Sequence, residues 1–298
     1  MDFAVLTTYG WLGFFLTLWI GLSVGSFLNV VIYRYPIMLQ REWEQQAQEI
    51  LAQEAQEAQE NLGEENQEKE EKEADLFNLA VPRSACPNCG HQITALENIP
   101  VFSWLFLRGK CSSCKTRISA RYPLVELATA MATLMVISTF GFTWLGLYAC
   151  LFTWLLVAAF GIDYDTQLLP DQLTYPILWL GLIANMGADK LVPLPDAVIG
   201  AIAGYLFLWG IYWIFKLLTG KEGMGYGDFK LFAALGAWMG WQMLPNIILI
   251  AAVLGLIYAL TQIVFKKQER SQPIPFGPFL AIGGWTGLVF GEQLLGLI

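Results

Sequence analysis

The sequence is poor in the residues on which most soluble hydrolases depend. It contains one histidine, His91, and charged residues make up 14% of the chain, against about 25% in a typical soluble domain. A Ser-His-Asp triad or a zinc-peptidase helix with paired histidines would need His91, which stands beside a cysteine cluster, so neither pattern is present. The first hydrophobic run has no basic region before it and is too long for a cleavable signal peptide.

Hydrophobic sequence is what the chain has in excess, since 56% of its residues are hydrophobic. A transmembrane helix needs about 20 apolar residues, and eight runs reach or approach that length. These runs are 10–32, 124–140, 143–162, 173–186, 197–218, 229–241, 247–265 and 279–295. We therefore predict an all-α, polytopic membrane protein with about eight transmembrane helices. The run 229–241 is short, and it fits either a short span inside a bundle or an interfacial piece.

The charges are distributed unevenly along the chain. Its net charge of −8 comes from residues 41–75, which hold thirteen acids and three bases, whereas the remainder has a balance of +2. Eight spans with the N-terminus outside place every Lys and Arg except Lys190 inside the cell or at the inner edge of a span. This asymmetry predicts three parts: a first transmembrane helix at 1–33, a cytosolic loop domain at 34–123 and a transmembrane core at 124–298.

Four cysteines form two C-x-x-C knuckles, Cys86-Pro-Asn-Cys89 and Cys111-Ser-Ser-Cys114, with twenty-one residues between them. This pattern is typical of a tetrahedral zinc site in which four thiolates fill every coordination position, so the metal would be structural. Two disulfides or redox pairs are the alternative, and the predicted cytosolic location argues against them. His91 could replace one ligand, while Cys150 lies in a hydrophobic run and is interpreted as a buried apolar residue.

Two acids stand at the ends of hydrophobic runs, where an unpartnered carboxylate is costly. Asp163 ends the third run, and Asp228 follows Gly225-Tyr226-Gly227 at the start of the sixth. The predicted topology places both at the inner membrane face, where they could meet. Two adjacent carboxylates share a proton, so one can activate water as a base while the other polarises a peptide carbonyl. The pair is therefore a candidate for an aspartic peptidase.

Other interpretations of these acids stay open at this point. An acid at a helix end is often a cap, which is our interpretation of Asp165 and of Asp171, the latter fitting an N-cap after Pro170. Intramembrane carboxylates also bind protons or Na⁺ in ion-coupled transporters, which is the main competing hypothesis. A third hypothesis is a zinc-dependent scaffold without chemistry of its own.

The motifs, taken in order, resemble the type IV prepilin peptidase family over essentially the whole chain. They are the segments 25–34 (Gly-Ser-Phe-Leu-Asn-Val-Val-Ile-Tyr-Arg), the four cysteines, 98–104, 121–126 (Arg-Tyr-Pro-Leu-Val-Glu), Asp163 with Leu169-Pro170-Asp171, Gly225–Asp228 and 275–279 (Pro-Phe-Gly-Pro-Phe). A lone Gly-x-Gly-Asp would be a weak signal, whereas this ordered series is highly specific.

The resemblance implies two activities for a multi-pass protein of the bacterial inner membrane. One is removal of a short basic leader from prepilins and pseudopilins at the cytosolic face, with Asp163 and Asp228 as catalytic residues; the choice of Asp163 over Asp165 rests on its distance from Pro170. The other is N-methylation of the new N-terminal residue, usually Phe, from S-adenosylmethionine. No glycine-rich Rossmann fingerprint places the site of that cofactor. The expected partners are these substrates and membrane lipid, without nucleic acid, and the oligomeric state is left open.

Overall fold

The computed structural model describes residues 4–62, 77–265 and 274–296. Its helices are α1 (Ala4–Leu62), α2 (Phe102–Phe106), α3 (Arg121–Phe140), α4 (Trp144–Thr166), α5 (Asp171–Ala184), α6 (Leu194–Thr219), α7 (Tyr226–Met239), α8 (Leu244–Val264) and α9 (Gly277–Leu295). A 3-10 turn, Trp241–Met243, precedes α8. Within the described ranges, extended backbone pairs only at two isolated bridges. The predicted all-α class is therefore confirmed.

Each of the eight predicted hydrophobic runs lies largely within its own helix, in α1 and in α3 to α9. Within the part of the chain that the structure describes, five helical stretches are long and apolar enough to cross a membrane: Tyr9–Glu54, Arg121–Phe140, Trp144–Thr166, Leu194–Thr219 and Trp241–Val264. The helices α5 and α7 have 14 residues each, and the apolar part of α9 is Gly277–Gly291. The predicted polytopic helical architecture agrees with this arrangement.

Helix α7 is enclosed by its neighbours rather than facing lipid. Every residue from Leu231 to Met239 is buried, and α5, α6 and α9 pack around the helix. Small residues allow α6 to lie directly against it: a Cβ on Gly200 would collide with the carbonyl of Gly236, and one on Gly204 would lie 2.7 Å from the carbonyl oxygen of Phe232. Such close backbone contact is a common way to pack helices in lipid. Of the two interpretations of the run 229–241, the structure supports the short span inside a bundle.

The side chain of Asn185 holds the C-terminal end of α7 in place. Its side-chain amide donates to the carbonyls of Ala237 and Trp238 at 3.0 Å, and its oxygen accepts from the backbone N–H groups of Leu191 and Val192 at 3.0 Å. The residue is 1% exposed, and its two bonds to α7 are buried, whereas the two bonds from Leu191 and Val192 are partly buried.

Replacing Asn185 with Ala should destabilise the bundle by about 2–4 kcal/mol, because two buried and two partly buried backbone groups would lose their partner. The measurement is thermal unfolding in detergent. The matched control is Asn246→Ala, since that buried amide has only long contacts, 3.7 Å to Met243 Sδ and 3.5 Å to the carbonyl of Leu294. Equal melting temperatures for the two variants would contradict the assigned role of Asn185.

Helix α1 continues well beyond its apolar part. Arg34 is the first charged residue of the helix, and the described helix ends at Leu62. Residues 77 and 78 pack against α1 beside Arg34 and Arg41. Arg34 Nη1 donates to the carbonyl of Asn78 at 2.9 Å, and the guanidinium of Arg41 lies 4.3 Å from the centre of the Phe77 ring. The remainder of the acidic segment, residues 63–75, lies outside the described residues. The domain boundaries at 33 and 123 stay predictions.

Candidate active site and metal centre

The two predicted catalytic acids lie together in the structure. Asp163 belongs to the last turn of α4, and Asp228 is the third residue of α7. Both are buried, with 4% and 7% exposure, and their carboxylates are close enough to repel one another electrostatically. Acids separated by sixty-four residues are thus brought to one point by the packing of α4, α5 and α7.

Two glycines allow this close approach, and both contact Leu169. A Cβ on Gly227 would lie 2.5 Å from Cβ of Leu169. A Cβ on Gly277 would lie 2.6 Å from Oδ2 of Asp163 and 2.7 Å from Cδ1 of Leu169. Any larger residue would need its neighbours to move. The Gly-x-Gly-Asp, Leu-Pro-Asp and Pro-Phe-Gly-Pro-Phe motifs therefore meet at a single cluster.

Helix N-termini face both acids. Asp228 lies in the first turn of α7, and Gly277, the first residue of α9, donates its backbone N–H to the carboxylate of Asp163. The unpaired N–H groups at a helix N-terminus stabilise negative charge. They therefore offset part of the cost of placing two carboxylates in a buried site.

One carboxylate oxygen of the acid pair is available to react. Oδ2 of Asp163 is buried and has no hydrogen-bond partner among the described residues. An unpaired buried carboxylate oxygen is costly in a structure that does not use it. In this position it can accept a proton from a bound water, while the neighbouring Asp228 can carry the proton that the two acids share.

The two neighbouring acids form ion pairs with basic residues. Asp165 forms a two-pronged ion pair with Arg121, with distances of 2.8 and 2.6 Å. Asp171 bonds Lys230 Nζ at 2.5 Å. The prediction that Asp171 is an N-cap is wrong, because Pro170 holds that position and Asp171 is the first residue of α5. Asp163, pointing inward, is the residue that joins Asp228.

The four predicted metal ligands also converge. Their sulfur atoms all lie within 4.8 Å of one another, with Cys86 Sγ 3.7 Å from Cys114 Sγ and Cys89 Sγ 4.0 Å from Cys111 Sγ. A tetrahedral zinc site with a metal–sulfur distance of about 2.3 Å places its ligands about 3.8 Å apart. The cysteines are free rather than bonded as disulfides, so this group could hold a metal ion. Cys150 is buried away from the cluster, as predicted.

The two knuckles have the same fold, and the sequence analysis missed this repeat. Antiparallel bridges enclose them, Ala85 with Gln92 and Lys110 with Arg117, at a constant offset of twenty-five residues. The signal for the repeat is visible as Arg-x-x-Cys-x-x-Cys-x-x-x-Ile, starting at residues 83 and 108. Two copies of one turn facing each other supply four sulfurs with approximate two-fold symmetry.

Hydrogen bonds around the knuckles stabilise the thiolates of Cys86 and Cys114. Backbone N–H groups of Asn88 and Cys89 point at the sulfur of Cys86. The hydroxyl of Thr116 lies 3.2 Å from Cys114 Sγ, and hydrogen bonds with the side chain and backbone of Thr116 and with the Asn88 amide together lower the pKa of the Cys114 thiol to about 5. The pKa of Cys89 is raised instead, by burial and by the neighbouring thiols. Thiolates are the form of cysteine that binds metal, so these bonds favour metal binding.

His91 is a neighbour of the sulfur cluster rather than a member of it. Its Nε2 lies 3.2 Å from the carboxylate of Glu97. Hydrogen bonds from Ser112 in the second knuckle and from Thr94 lower the pKa of Glu97 to about 2. Glu97 therefore stays ionised and links the two knuckles through their side chains. The alternative that His91 replaces a cysteine ligand finds no support in this geometry.

The sulfur cluster and the acid pair lie on the same side of the helical bundle. The knuckle domain leads directly into α3, whose first residue, Arg121, pairs with Asp165 next to the acid site. Asn29 of α1 donates to the carbonyl of Tyr122 at 3.1 Å, which fixes α1 to the same end of α3. Both candidate sites therefore lie at the same end of the helical bundle, and the compartment that this end faces stays a prediction from the charge distribution.

Family models match the part of the chain that contains the cysteine cluster and the part that contains the two acids. Residues 19–140 match the bacterial peptidase A24 N-terminal domain, and residues 150–260 match the type IV leader peptidase family. The first match contains the cysteine cluster, and the second contains both acids. Among solved structures, none matches the chain significantly.

Curated relatives align along nearly the whole chain. A protein of Aeromonas salmonicida is 52% identical over 284 residues, which cover 95% of this chain and 93% of the relative. One from Stutzerimonas stutzeri is 53% identical, with 92% and 90% covered, and one from Pseudomonas aeruginosa is 51% identical, with 93% and 90% covered. Each of the three bears the name prepilin leader peptidase/N-methyltransferase.

Proposed function

Because the chain belongs to the type IV leader peptidase family, we propose that it cleaves the leader from prepilins and pseudopilins and N-methylates the new N-terminus. This assignment agrees with the names of relatives at about half identity. The ion-coupled transporter has no support from these relatives.

The observation that carries the peptidase is the buried pair of Asp163 and Asp228. In the proposed mechanism one ionised carboxylate takes a proton from water, which attacks the scissile carbonyl. The other carboxyl group, protonated, donates a hydrogen bond to that carbonyl and stabilises the oxyanion. We assign the first role to Asp163, because its Oδ2 is the unpartnered oxygen and the N–H of Gly277 stabilises its charge.

We propose that the chain spans the bacterial inner membrane with both sites at the cytoplasmic face. The support is the distribution of Lys and Arg in the sequence. A prepilin presents a basic leader followed by a hydrophobic segment, so its scissile bond lies where the membrane meets the cytosol. Asp163 in the last turn of α4 lies at the corresponding end of a membrane-crossing helix.

The methyl donor in this proposal is S-adenosylmethionine, which supplies an activated methyl group to the free α-amine. The chain lacks the glycine-rich loop of a Rossmann fold, so the donor is held by a different arrangement. The peptidase reaction creates the amine that the second reaction uses, and we place the two activities at one membrane face.

The metal in this proposal is structural zinc held by Cys86, Cys89, Cys111 and Cys114. Since all four positions are filled by protein, zinc would fold residues 77–120 and would leave no open position for chemistry.

Elemental analysis of the purified protein should find about one zinc per chain. The double variant Cys86→Ser, Cys111→Ser should lose it, because two of the four ligands are gone. Cys150→Ser is the control and should keep the metal, since Cys150 is buried in the helical bundle. A metal-free protein with intact thiols would contradict the zinc assignment.

The proposed function is tested by incubating the detergent-purified protein with a prepilin and S-adenosylmethionine, and reading the product by mass spectrometry. We expect loss of the leader, followed by addition of one methyl group. Cleavage by the purified protein alone would exclude the scaffold hypothesis, whereas intact prepilin under all conditions would contradict the peptidase.

A further inference from the structure

Helix α2, in the segment that leads into α3, presents an exposed apolar face. Phe102, Leu105 and Phe106 are 49%, 58% and 84% exposed. The opposite side of the helix is fixed, because Trp104 Nε1 donates to the carbonyl of Ile118 at 3.2 Å. Three large apolar side chains on one short rigid helix need a nonpolar environment.

The backbone fixes the depth at which this face lies. The N–H of Val101, which precedes α2, donates to Oε2 of Glu126 at 2.7 Å. Val101 has a φ of 61°, a strained conformation for a β-branched residue, so the bond holds the start of α2 in one place. The residue before α2 is thereby bonded to α3, in addition to the bond from Trp104 to Ile118.

The length of helix α3 is close to that of the bilayer core. Its 20 residues extend about 30 Å, which is the thickness of the hydrocarbon core. Its apolar run begins at Leu124, so Glu126 lies only two residues, or about 3 Å, inside that run. The bond from Val101 to Glu126 therefore places α2 at the boundary between lipid headgroups and acyl chains.

The charge around α2 matches an anionic surface. Residues 77–120 contain five bases and one acid, Glu97, and the balance of +4 stays positive after the −2 of a zinc ion held by four thiolates is included. Arg108 lies two residues after the end of α2 and is exposed. A juxtamembrane positive charge is attracted to anionic lipids, and apolar side chains next to it insert between the headgroups.

We propose that α2 is an interfacial anchor, which inserts Phe102, Leu105 and Phe106 into the leaflet beside α3 while Arg108 contacts anionic phospholipid headgroups. The anchor holds the cysteine domain flat against the bilayer, on the side of the acid pair. This inference concerns lipid contact, and it stands independently of the proposed catalytic activities.

The test is photocrosslinking of the full-length protein in nanodiscs that contain phosphatidylcholine and phosphatidylglycerol. Phe106→benzoylphenylalanine should yield phospholipid adducts on irradiation, detected by mass spectrometry. The matched control is Ile50→benzoylphenylalanine, because Ile50 is 57% exposed but lies sixteen residues, or about 24 Å, along α1 from Arg34. The control should give no lipid adduct.

A second comparison tests the charge. Arg108→Glu should lower the share of phosphatidylglycerol among the adducts at residue 106 by about fivefold, the equivalent of about 1 kcal/mol for one juxtamembrane charge. The absence of lipid adducts at residue 106, or adducts to protein in their place, would overturn the anchor. An unchanged phosphatidylglycerol share would overturn the headgroup contact.

Discussion

Replacing Asp228 with Asn should lower prepilin cleavage by at least about 10³-fold, because an amide can neither carry the shared proton nor donate it as a carboxyl group does. Asp163→Asn should have an effect of similar size. The two acids act as one unit, so the double variant should be no slower than either single variant. The measurement is the initial rate of leader removal by detergent-purified protein, with zinc content as a check that the protein is folded.

Asp165→Asn is the matched control for these variants. It removes a carboxylate two residues from Asp163, but that carboxylate pairs with Arg121 and is 30% exposed. A partly exposed ion pair contributes about 0–1 kcal/mol, so the rate should fall by about fivefold at most. Full cleavage by Asp163→Asn or Asp228→Asn would contradict the assignment of the two acids as the catalytic pair. Loss of activity in Asp165→Asn alone would reassign the role of Asp163.

Gly277→Ala should lower the cleavage rate by about 10²-fold without unfolding the protein. The new Cβ would lie 2.6 Å from Oδ2 of Asp163, so either the carboxylate or the start of α9 must shift. A displacement of about 1 Å in a catalytic group lowers the reaction rate by about 10²-fold. The same shift weakens the hydrogen bond from the Gly277 N–H, which stabilises the ionised form of Asp163.

The control for this substitution is Gly210→Ala in α6. A Cβ at Gly210 meets nothing within 4 Å, and alanine is the better helix former by about 1 kcal/mol. Cleavage and thermal stability should therefore be unchanged or slightly improved. Wild-type activity in Gly277→Ala would show that the site tolerates a side chain there, and the close contact would then carry no function.

The helical architecture was predictable because a membrane-spanning helix can be identified from the length and composition of its own hydrophobic run, without knowledge of its tertiary contacts. Runs 10–32 and 124–140 identified α1 and α3 from composition and length alone. The burial of α7 was not predictable in the same way, since a helix that is apolar on all sides fits lipid and protein equally well. Its place in the centre follows from close contacts, such as that of Gly200 with Gly236, which depend on the crossing of two helices.

The sequence selected the residues of the candidate site but not the contacts that position them. Spacing was enough to select the four cysteines, because each C-x-x-C turn is local. The sequence selected Asp163 over Asp165 by its distance from Pro170, and the structure adds the reason that Asp165 pairs with Arg121. Gly277 was recognised as part of a motif, but its contact with Asp163 joins elements more than one hundred residues apart, and no local pattern carries that information.

The return of the chain to the base of α1 has a practical consequence for engineering. Arg41 and Phe77 touch, so the residues that flank the segment 42–76 lie close together. An excursion whose two ends coincide can change in length without moving what lies on either side. This segment is therefore a natural place for a reporter or an affinity module, attached there so that neither terminus and neither site is disturbed.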